Sequence, residues 1–296
     1  MTEITAVTGF YDIGRGRNGD GRTPDWYLGQ LNQTLQIPLP FIVFFDPRLD
    51  ANKLALKPGD RLVRVPVEDY EIMRYRAEVE AACARLSQRD LTARMPIYGM
   101  LVTGKFEMLT RAAEMTDSPV LLWADAGIAR FLPGDMASAR LDEAALARFG
   151  NTEFGVNATP NLEAVLQAGR LPKDFIGSSV SLMNATDMYM TRAAAPRINA
   201  ALLSMLKDEW LPNGLWDNEQ VSLGCLILKG LFDVQLTQIS FGFGNITRTM
   251  FGLPLDMPKI KFHDRVRLLK MRYTAGLTNA PFQYQASPRV RALLHR

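Results

Sequence analysis

One aspartate stands at the end of an apolar run. The run Val120–Ala124 reads VLLWA, and Asp125, Ala126 and Gly127 follow it directly. Such a run predicts a strand buried on both faces of a parallel sheet, and open sheets of this kind bind ligands at the carboxyl ends of their strands. The two small residues leave room for a metal ion and for phosphates beside the carboxylate. The alternative is an aspartate that only caps the next turn.

A second candidate site is the polar run that follows a tryptophan at residues 216–220, WDNEQ. It begins a predicted helix, for which Asp217 is a credible N-cap. Capping alone needs one polar side chain, so we also expect a sugar site here. Trp216 would offer a flat face to a sugar ring, Asn218 and Gln220 would bind hydroxyl groups, and Asp217 or Glu219 would accept a proton.

A basic, glycine-rich loop follows the first predicted strand. It reads GRGRNGDGR at residues 14–22, and three of its glycines fit the G-x-G-x-x-G dinucleotide fingerprint. That fingerprint needs glycines that open a helix holding a pyrophosphate, and Asp20, Gly21 and Pro24 interrupt such a helix. A basic loop that closes over a diphosphate fits these residues better.

One lysine lies on a helix that leads into the central strand. Lys105 is near the middle of the predicted helix at residues 98–115, whose apolar side chains recur at the spacing of one helical face. The lysine either points toward the ligand edge of the sheet or remains in solvent.

A framework of strands and helices must bring these candidates together. Strands are predicted at residues 4–10, 40–45, 61–67, 120–124, 175–184 and 233–243, and helices at 25–35, 68–87, 98–115, 142–149, 160–169, 185–210 and 217–228. Pro196 should kink or split the longest helix. Strands that alternate with helices predict an α/β chain that forms one large domain or two small ones.

Composition narrows the class of protein. The 296 residues are 47% hydrophobic, which is enough to bury a sizeable core, and 34 basic against 31 acidic residues are too balanced for a nucleic-acid binder. Basic residues cluster at 15–22 and 259–272, where they could meet phosphates, contact an anionic membrane surface or form a solvated helix face.

Other sequence features bear on the compartment. Two cysteines are too few for a disulfide framework, so we expect a cytoplasmic protein, with possible peripheral contact at the inner face of the membrane. The sequence shows neither the pattern of a signal peptide nor an apolar run of about 18 residues, so no membrane span is expected.

A family resemblance emerges when the segments are taken in order. TAVTGFYDIGRG, FIVFFD, GKFEML, LLWADAGIAR and NEQVSLG, with a histidine near the C-terminus, resemble the HtrL/YibB-type family of bacterial proteins. This family includes WlaTC-like members and is similar to a branch of the GT-A glycosyltransferases. The resemblance spans about residues 5–264, and its most specific pieces are FYDIGR at 10–15 and WADAG at 123–127.

The resemblance implies a fold and a nucleotide site. The fold would be α/β, with a GT-A-like, mostly parallel central sheet flanked by helices. It would form one domain over residues 1–296, with a nucleotide-binding half at about 1–127 and an acceptor half with the C-terminal tail at about 128–296. Thr8, Phe10, Asp12 and Arg15 would touch the nucleotide of a nucleotide-diphosphosugar, and Lys105 would lie near its ribose or phosphates.

The resemblance also implies a metal site. Asp125 matches the first aspartate of the D-x-D motif that binds Mn²⁺ or Mg²⁺ in GT-A enzymes, and Ala126 continues the donor-binding stretch. Gly127 occupies the place of the second aspartate, which puts metal dependence in doubt. His263 stands where many GT-A enzymes bring a late histidine to the metal.

Three functions remain in competition. A glycosyltransferase of hexosyltransferase type would move sugar from a UDP, GDP or dTDP donor to a hydroxyl of a glycan or lipid-linked glycan, in bacterial surface polysaccharide synthesis. Asp217 or Glu219 would be its base if the reaction inverts, and would only orient sugars if it retains. The alternatives are a non-catalytic nucleotide-sugar or glycan-binding protein and a sugar-phosphate nucleotidyltransferase.

Overall fold

One mixed sheet runs through the part of the chain that the structure describes. The structure is a computed structural model, and it describes residues 3–86, 91–147, 149, 151–172, 175–274, 284, 286 and 288–295. The strands are β1 (Ile4–Phe10), β2 (Phe41–Phe45), β3 (Arg61–Arg64), β4 (Val120–Ala124), β5 (Phe154–Ala158), β6 (Met183–Thr191) and β7 (Val234–Ile239). Their order across the sheet is β3-β2-β1-β4-β6-β5-β7.

The sheet is mostly parallel. Parallel pairing joins β1 to β2 and β4, β2 to β3, and β5 to β7, whereas β6 is antiparallel to both of its neighbours, β4 and β5. With helices on both faces, this is the α/β class that the sequence predicts, and the central sheet is mostly parallel, as the resemblance implies. The carboxyl ends of β1 and β4 lie side by side, so residues that follow these strands meet at one edge.

Helices cover the sheet. The α-helices among the described residues are α1 (Arg15–Asn18), α2 (Pro24–Thr34), α3 (Arg76–Cys83), α4 (Leu91–Arg94), α5 (Pro96–Met115), α6 (Glu143–Leu146), α7 (Pro160–Ala168), α8 (Ala194–Ser204), α9 (Glu219–Lys229), α10 (Asn245–Met250), α11 (Phe262–Thr274) and α12 (Pro288–Arg291). Short 3₁₀ helices lie at Ala51–Lys53, Val67–Asp69, Glu71–Tyr75, Ile128–Phe131, Leu211–Asn213 and Ala292–His295, and a π-helix at Met205–Trp210. None of the described helices is both long enough and apolar enough to cross a bilayer.

Alternate residues of the central strands pack into two hydrophobic cores, one on each side of the sheet. In β4, Leu121 and Trp123 join the core on one side of the sheet, and Val120, Leu122 and Ala124 join the core on the other. Both sides of the strand are therefore buried, which explains its unbroken apolar run. The long helix α5 packs on β1 and β4 and also contacts α8 and α9, so it connects the sheet edge to both halves of the chain.

The largest error of the sequence prediction concerns residues 175–210. The helix predicted at 185–210 is present from Ala194 to Trp210, but its first part is wrong, and so is the strand predicted at 175–184 up to Leu182, because β6 spans Met183–Thr191. This segment is buried between β4 and β5 and pairs with both, and such pairing overrides a local preference for helix. Pro196 lies in the first turn of α8, where it needs no N–H partner, so it does not kink that helix.

Several other boundaries differ from the prediction. The strand predicted at 61–67 ends at Arg64, and the one predicted at 233–243 spans only Val234–Ile239. The helix predicted at 68–87 consists of two 3₁₀ helices followed by α3, and its predicted end at Ser87 lies outside the described residues.

Candidate active site

A solvent-open cleft lies at the carboxyl ends of β1 and β4. The end of β1, the first half of α5, the residues after β4 and the start of α9 form its walls. The charged residues that line it are Asp12, Arg15, Arg22, Lys105, Asp125, Arg130 and Glu219. Five of these seven were predicted as individual site residues, Arg22 belongs to the predicted basic loop, and Arg130 was not predicted as a site residue.

Asp125 faces this cleft. Its backbone N–H donates to the Thr186 carbonyl at 2.8 Å, and its carbonyl accepts from Ile128 at 2.9 Å, which fixes the turn after β4. The side chain is 39% exposed, and its Oδ1 accepts a hydrogen bond of 2.6 Å from the Trp123 indole N–H. Oδ2 accepts no hydrogen bond from a described residue, so one carboxylate oxygen remains available to a ligand.

Lys105 is buried beneath the cleft. Its Nζ donates to the Ala185 carbonyl at 3.0 Å, to Glu219 Oε1 at 3.1 Å and to Asp125 Oδ1 at 3.5 Å. The ammonium also lies 5.3 Å from the centre of the Trp123 ring. Burial lowers the pKa of Lys105, but the charges of Asp125 and Glu219 outweigh burial, and the net pKa is raised. The lysine is therefore charged and holds two carboxylates together.

This geometry corrects the predicted role of Lys105. An ammonium has three N–H donors, and here all three point at oxygens of the protein. No donor is left for a ribose or phosphate, although the side chain does reach the ligand edge. Lys105 is a positioning residue for Asp125 and Glu219.

Glu219 reaches the cleft because of a helix cap. Asn218 Oδ1 accepts from the backbone N–H groups of Gln220 and Val221 at 3.0 and 3.2 Å, so Asn218, and not the predicted Asp217, is the N-cap of α9. Glu219 is then the first residue of the helix, where the helix dipole favours a carboxylate. Both Glu219 and Gln220 line the cleft.

The rest of the 216–220 run lies away from the cleft. Trp216 is fully buried and its indole N–H has no hydrogen-bond partner among the described residues, so it offers no face to a sugar. Asp217 is also buried and accepts from the N–H groups of Gly177, Ser179 and Asn218 at 2.8, 3.3 and 2.8 Å. Its carboxylate holds a loop in place, and the structure does not bring it to the cleft.

Two more predicted site residues are also away from the cleft. Thr8 is fully buried in the middle of β1, in register with Val43, because the strand continues to Phe10. His263 lies on α11 with its side chain 71% exposed, 3.5 Å from Asp264. Neither lines the cleft.

The last residue of β1 and the residues that follow it line the cleft. Asp12 Oδ1 accepts from the N–H of Gly14, whose φ of 75° starts the short helix α1 and so brings Arg15 to the cleft wall. A helix of four residues is too short to be the long helix that a dinucleotide fingerprint opens. The Phe10 ring stacks on Tyr27 with centroids 5.6 Å apart, which gives this wall a flat apolar face.

One wall of the cleft, the upper wall, is formed by Arg15, Arg22 and Arg130 and is positively charged. Arg15 donates twice to Asp20, at 3.0 and 2.8 Å, and Arg22 lies 3.2 Å from the same carboxylate. The Arg15 guanidinium also stacks 4.3 Å above the Tyr98 ring. Burial raises the pKa of Tyr98 to about 12, so this phenol stays neutral. Arg15 and Arg22 thus share one carboxylate and keep a surplus of positive charge.

Arg130 is the cleft residue that the sequence reasoning missed. It forms no ion pair with a described residue, and its guanidinium lies over the rings of Trp26 and Phe131 at 5.8 and 4.4 Å. Burial lowers the pKa of Arg130, and the charge of Arg22 lowers it further. A half-buried cation without an acidic partner favours the binding of an anion in front of it. Its position five residues after Asp125 was the only sequence signal.

The two small residues after Asp125 also line the cleft. The Ala126 carbonyl accepts from the Thr34 hydroxyl at 3.0 Å, which ties this turn to α2. A Cβ built on Gly127 would meet only Arg130 Nε, at 4.0 Å, and its φ of −105° suits any residue. Glycine is therefore not required here by backbone conformation, and its effect is to keep the space beside Asp125 open.

The side chains that line the cleft supply only some of the ligands that a divalent cation needs. Among the residues that the structure describes, no three His, Cys, Asp or Glu side chains are grouped as a metal site. Asp125 Oδ2 can supply one ligand, whereas Mg²⁺ needs about six oxygens. Any ion here would take its other ligands from water and from a bound diphosphate.

Asp187 is a buried carboxyl within the segment that was predicted as helix. It pairs with Ala124 across β4 and β6, its Oδ2 accepts from the Thr247 N–H at 2.7 Å, and its Oδ1 has no hydrogen-bond partner among the described residues. Burial raises the pKa of Asp187 to about 6, against the hydrogen bonds from Thr247, and the charge of Asp125 adds to the rise.

Asp187 should therefore make stability depend on pH. Because the folded protein binds this proton more tightly than the unfolded chain, the free energy of unfolding should fall as pH rises from about 4 to about 6. A pKa increase from 3.8 to about 6 corresponds to about 3 kcal/mol. We expect Asp187→Asn to lack this decline and to gain stability over the wild type toward neutral pH. Urea denaturation of both proteins at several pH values tests this, and parallel stability curves would contradict it.

Comparisons with known proteins give similarity in structure only. No family model and no curated protein matches the chain. Core-mannan synthase A from Aspergillus fumigatus, in its Mn/GDP form, is 11% identical with a TM-score of 0.45, covering 100% of this chain and 85% of that one. A CMP:2-keto-3-deoxy-manno-octonic acid synthetase complexed with CTP is 10% identical with a TM-score of 0.37, covering 78% and 88%. Mouse xyloside xylosyltransferase 1, apo form, is 11% identical with a TM-score of 0.33, covering 84% and 81%. At this level of similarity the comparisons do not assign a function.

Proposed function

We propose that this protein is a glycosyltransferase that transfers a sugar from a nucleotide-diphosphosugar to an acceptor hydroxyl. The observation that carries the proposal is the pairing, in one cleft, of an available carboxylate oxygen on Asp125 with an unpaired arginine, Arg130. They follow the carboxyl end of a central strand, where open α/β sheets bind ligands. The HtrL/YibB-type resemblance supports the same reading.

The electrostatics of the cleft suit a diphosphate. Arg15 and Arg22 share Asp20, and Arg130 has no acidic partner among the described residues, so the upper wall holds more positive than negative charge. A diphosphate in front of this wall would form charge-assisted hydrogen bonds with guanidinium groups. The stacked rings of Phe10 and Tyr27 would give the nucleobase an apolar surface.

Asp125 itself needs a cation between it and the diphosphate. Two anions repel each other at short range, so a carboxylate contacts a phosphate favourably only through a positive charge. Asp125 Oδ2 would hold a divalent ion, Mn²⁺ or Mg²⁺, when the donor is bound. Such an ion would offset the charge of the departing diphosphate. Lys105 keeps Asp125 aligned for that role.

The transfer step then involves Glu219. The bond between the anomeric carbon and the diphosphate breaks, and the acceptor oxygen forms a new bond to that carbon. In an inverting reaction the acceptor proton goes to a carboxylate, and Glu219 is the acid of the 216–220 run that lines the cleft. In a retaining reaction the departing phosphate takes the proton, and Glu219 orients the sugar.

Calorimetry with UDP, GDP and dTDP sugars, with and without Mn²⁺, tests the proposal. Binding of one donor and its slow hydrolysis support a glycosyltransferase. Binding without turnover, with a range of glycan acceptors present, would instead support a nucleotide-sugar-binding protein. Release of pyrophosphate from a nucleoside triphosphate and a sugar phosphate would support a nucleotidyltransferase.

Replacement of Arg130 by alanine should weaken donor binding. We expect the dissociation constant of the bound nucleotide diphosphate to rise about 10- to 100-fold, because a hydrogen bond to a charged group contributes about 1.5–3 kcal/mol. Added salt should reduce the difference between variant and wild type. Arg192→Ala removes an exposed arginine that pairs with Asp117 and serves as the matched control. Equal affinities for the Arg130 and Arg192 variants would contradict the assignment.

A further inference from the structure

Helix α11 has an inner face that is packed and an outer face that is not. On the inner face Leu268 and Met271 are buried, and Arg267 donates to Asp264 at 2.6 Å and to Asn161 of α7 at 3.3 Å. The helix is therefore fixed to the body of the protein in one orientation. That orientation determines which side chains face outward.

The outer face is an apolar stripe. Phe262, Val266 and Leu269 recur at the spacing of one helical face and are 82%, 50% and 52% exposed. The segment leading into the helix adds three more exposed apolar side chains, Leu255, Met257 and Ile260. These six are the majority of the large exposed hydrophobic residues among the described residues, so apolar exposure is concentrated in one segment.

Basic side chains flank the stripe. Lys259 and Lys261 precede the helix and Arg265 lies beside the stripe on its first turn, and all three are exposed. None of them forms an ion pair with a described residue. An amphipathic segment with apolar residues on one side and lysine or arginine along its border is typical of helices that lie in the surface of an anionic bilayer.

We propose that residues 255–269, the docking segment, bind peripherally to the surface of an anionic lipid bilayer. The apolar stripe enters the boundary between headgroups and acyl chains, and the three basic residues contact lipid phosphates. Charge complementarity selects this partner, because a groove on another protein would cover the apolar stripe without needing a border of cations.

The docking segment is connected to the rim of the cleft. Asp256 Oδ2 accepts from the backbone N–H of Phe243 at 2.9 Å, and the Asp256 N–H donates to Asn245 at 2.7 Å. Phe243 lines the cleft and stacks on Phe131 with centroids 4.5 Å apart. A bilayer bound at the docking segment would therefore lie near the cleft mouth. Where the proposed transferase function holds, this favours a membrane-bound, lipid-linked acceptor.

Vesicle sedimentation of the full chain tests the docking segment without measuring activity. We expect the wild type to bind vesicles of phosphatidylcholine with about 30% phosphatidylglycerol, and to bind vesicles of phosphatidylcholine alone much more weakly. Raising the salt concentration should release it. Failure of the wild type to bind the anionic vesicles would overturn the proposal, whatever donor binding shows.

Two variants separate the apolar and basic contributions. We expect F262S/V266S/L269S and K259E/K261E/R265E each to weaken vesicle binding at least about 30-fold while leaving the melting temperature and donor binding unchanged. Leu231→Ser, at an exposed apolar residue outside the segment, is the control and should bind like the wild type. Undiminished binding by either triple variant would overturn the proposal. So would a wild-type dimer in sedimentation velocity that the stripe variant converts to a monomer, because a second copy would then cover the stripe.

Discussion

Replacement of Asp125 by asparagine is expected to lower sugar transfer about 10²- to 10³-fold and to leave the protein folded. Asparagine keeps the size of the side chain and can still accept from the Trp123 indole N–H, which lies 2.6 Å from Oδ1. It loses the negative charge that the proposed ion requires, and removal of one electrostatic contact to a developing charge typically costs this much in rate. Turnover of the donor, measured with saturating Mn²⁺, gives the effect.

The structure offers a matched control for this substitution. Asp117 also pairs with a cation, Arg192, but is fully exposed outside the cleft, so Asp117→Asn should retain wild-type turnover. Thermal denaturation of both variants should show melting temperatures close to that of the wild type, because Asp125 is partly exposed and Lys105 keeps its shorter contact with Glu219. Full activity of Asp125→Asn would remove the central assignment of the cleft.

A local pattern was enough to locate Asp125. An unbroken apolar run fixes a buried strand, and the residue after it must lie at the sheet edge whatever the rest of the chain does. Asp12 and Arg15 were assigned to the donor site by the resemblance, and both line the cleft just after the end of β1. Lys105 was placed at the right edge, but its role was wrong, because the sequence does not show that three protein oxygens surround its ammonium.

The residues at 216–220 show where local patterns fail. Whether Trp216 faces solvent or the core depends on α5, where a Cβ built on Gly99 would lie 3.1 Å from the indole nitrogen. Whether Asp217 caps a helix or holds a loop depends on residues about 40 positions earlier in the chain. Arg130 was missed because a single arginine among apolar residues of the short 3₁₀ helix after β4 has no sequence signature, and the lack of an acidic partner among the described residues is a property of the folded cleft.

The last prediction concerns the ion cluster of Lys105, Asp125 and Glu219. Lys105→Met should lower the free energy of unfolding by about 3–5 kcal/mol at neutral pH and should abolish activity. Lys105 is 1% exposed, and without it Glu219 becomes a buried carboxylate that has lost its cation. Removing one partner of a buried ion pair in this way strongly destabilises a protein. Adding Glu219→Gln removes that stranded charge, so the double variant should regain much of the stability and none of the activity.

Urea denaturation of the wild type and both variants separates the two effects. The raised pKa of Lys105 means that its contribution is complete below the ordinary lysine value of 10.5 and is lost as pH rises through the higher folded value. The contribution of Lys105 to the stability of the wild type should therefore not titrate near neutral pH and should be lost only in strong alkali. Lys207→Met, which removes an exposed lysine beside Asp208, controls for the loss of a charge and should change stability little. If the double variant were no more stable than Lys105→Met, Glu219 would not depend on Lys105 for its charge, and the two carboxylates of the cleft would have to be positioned by other contacts.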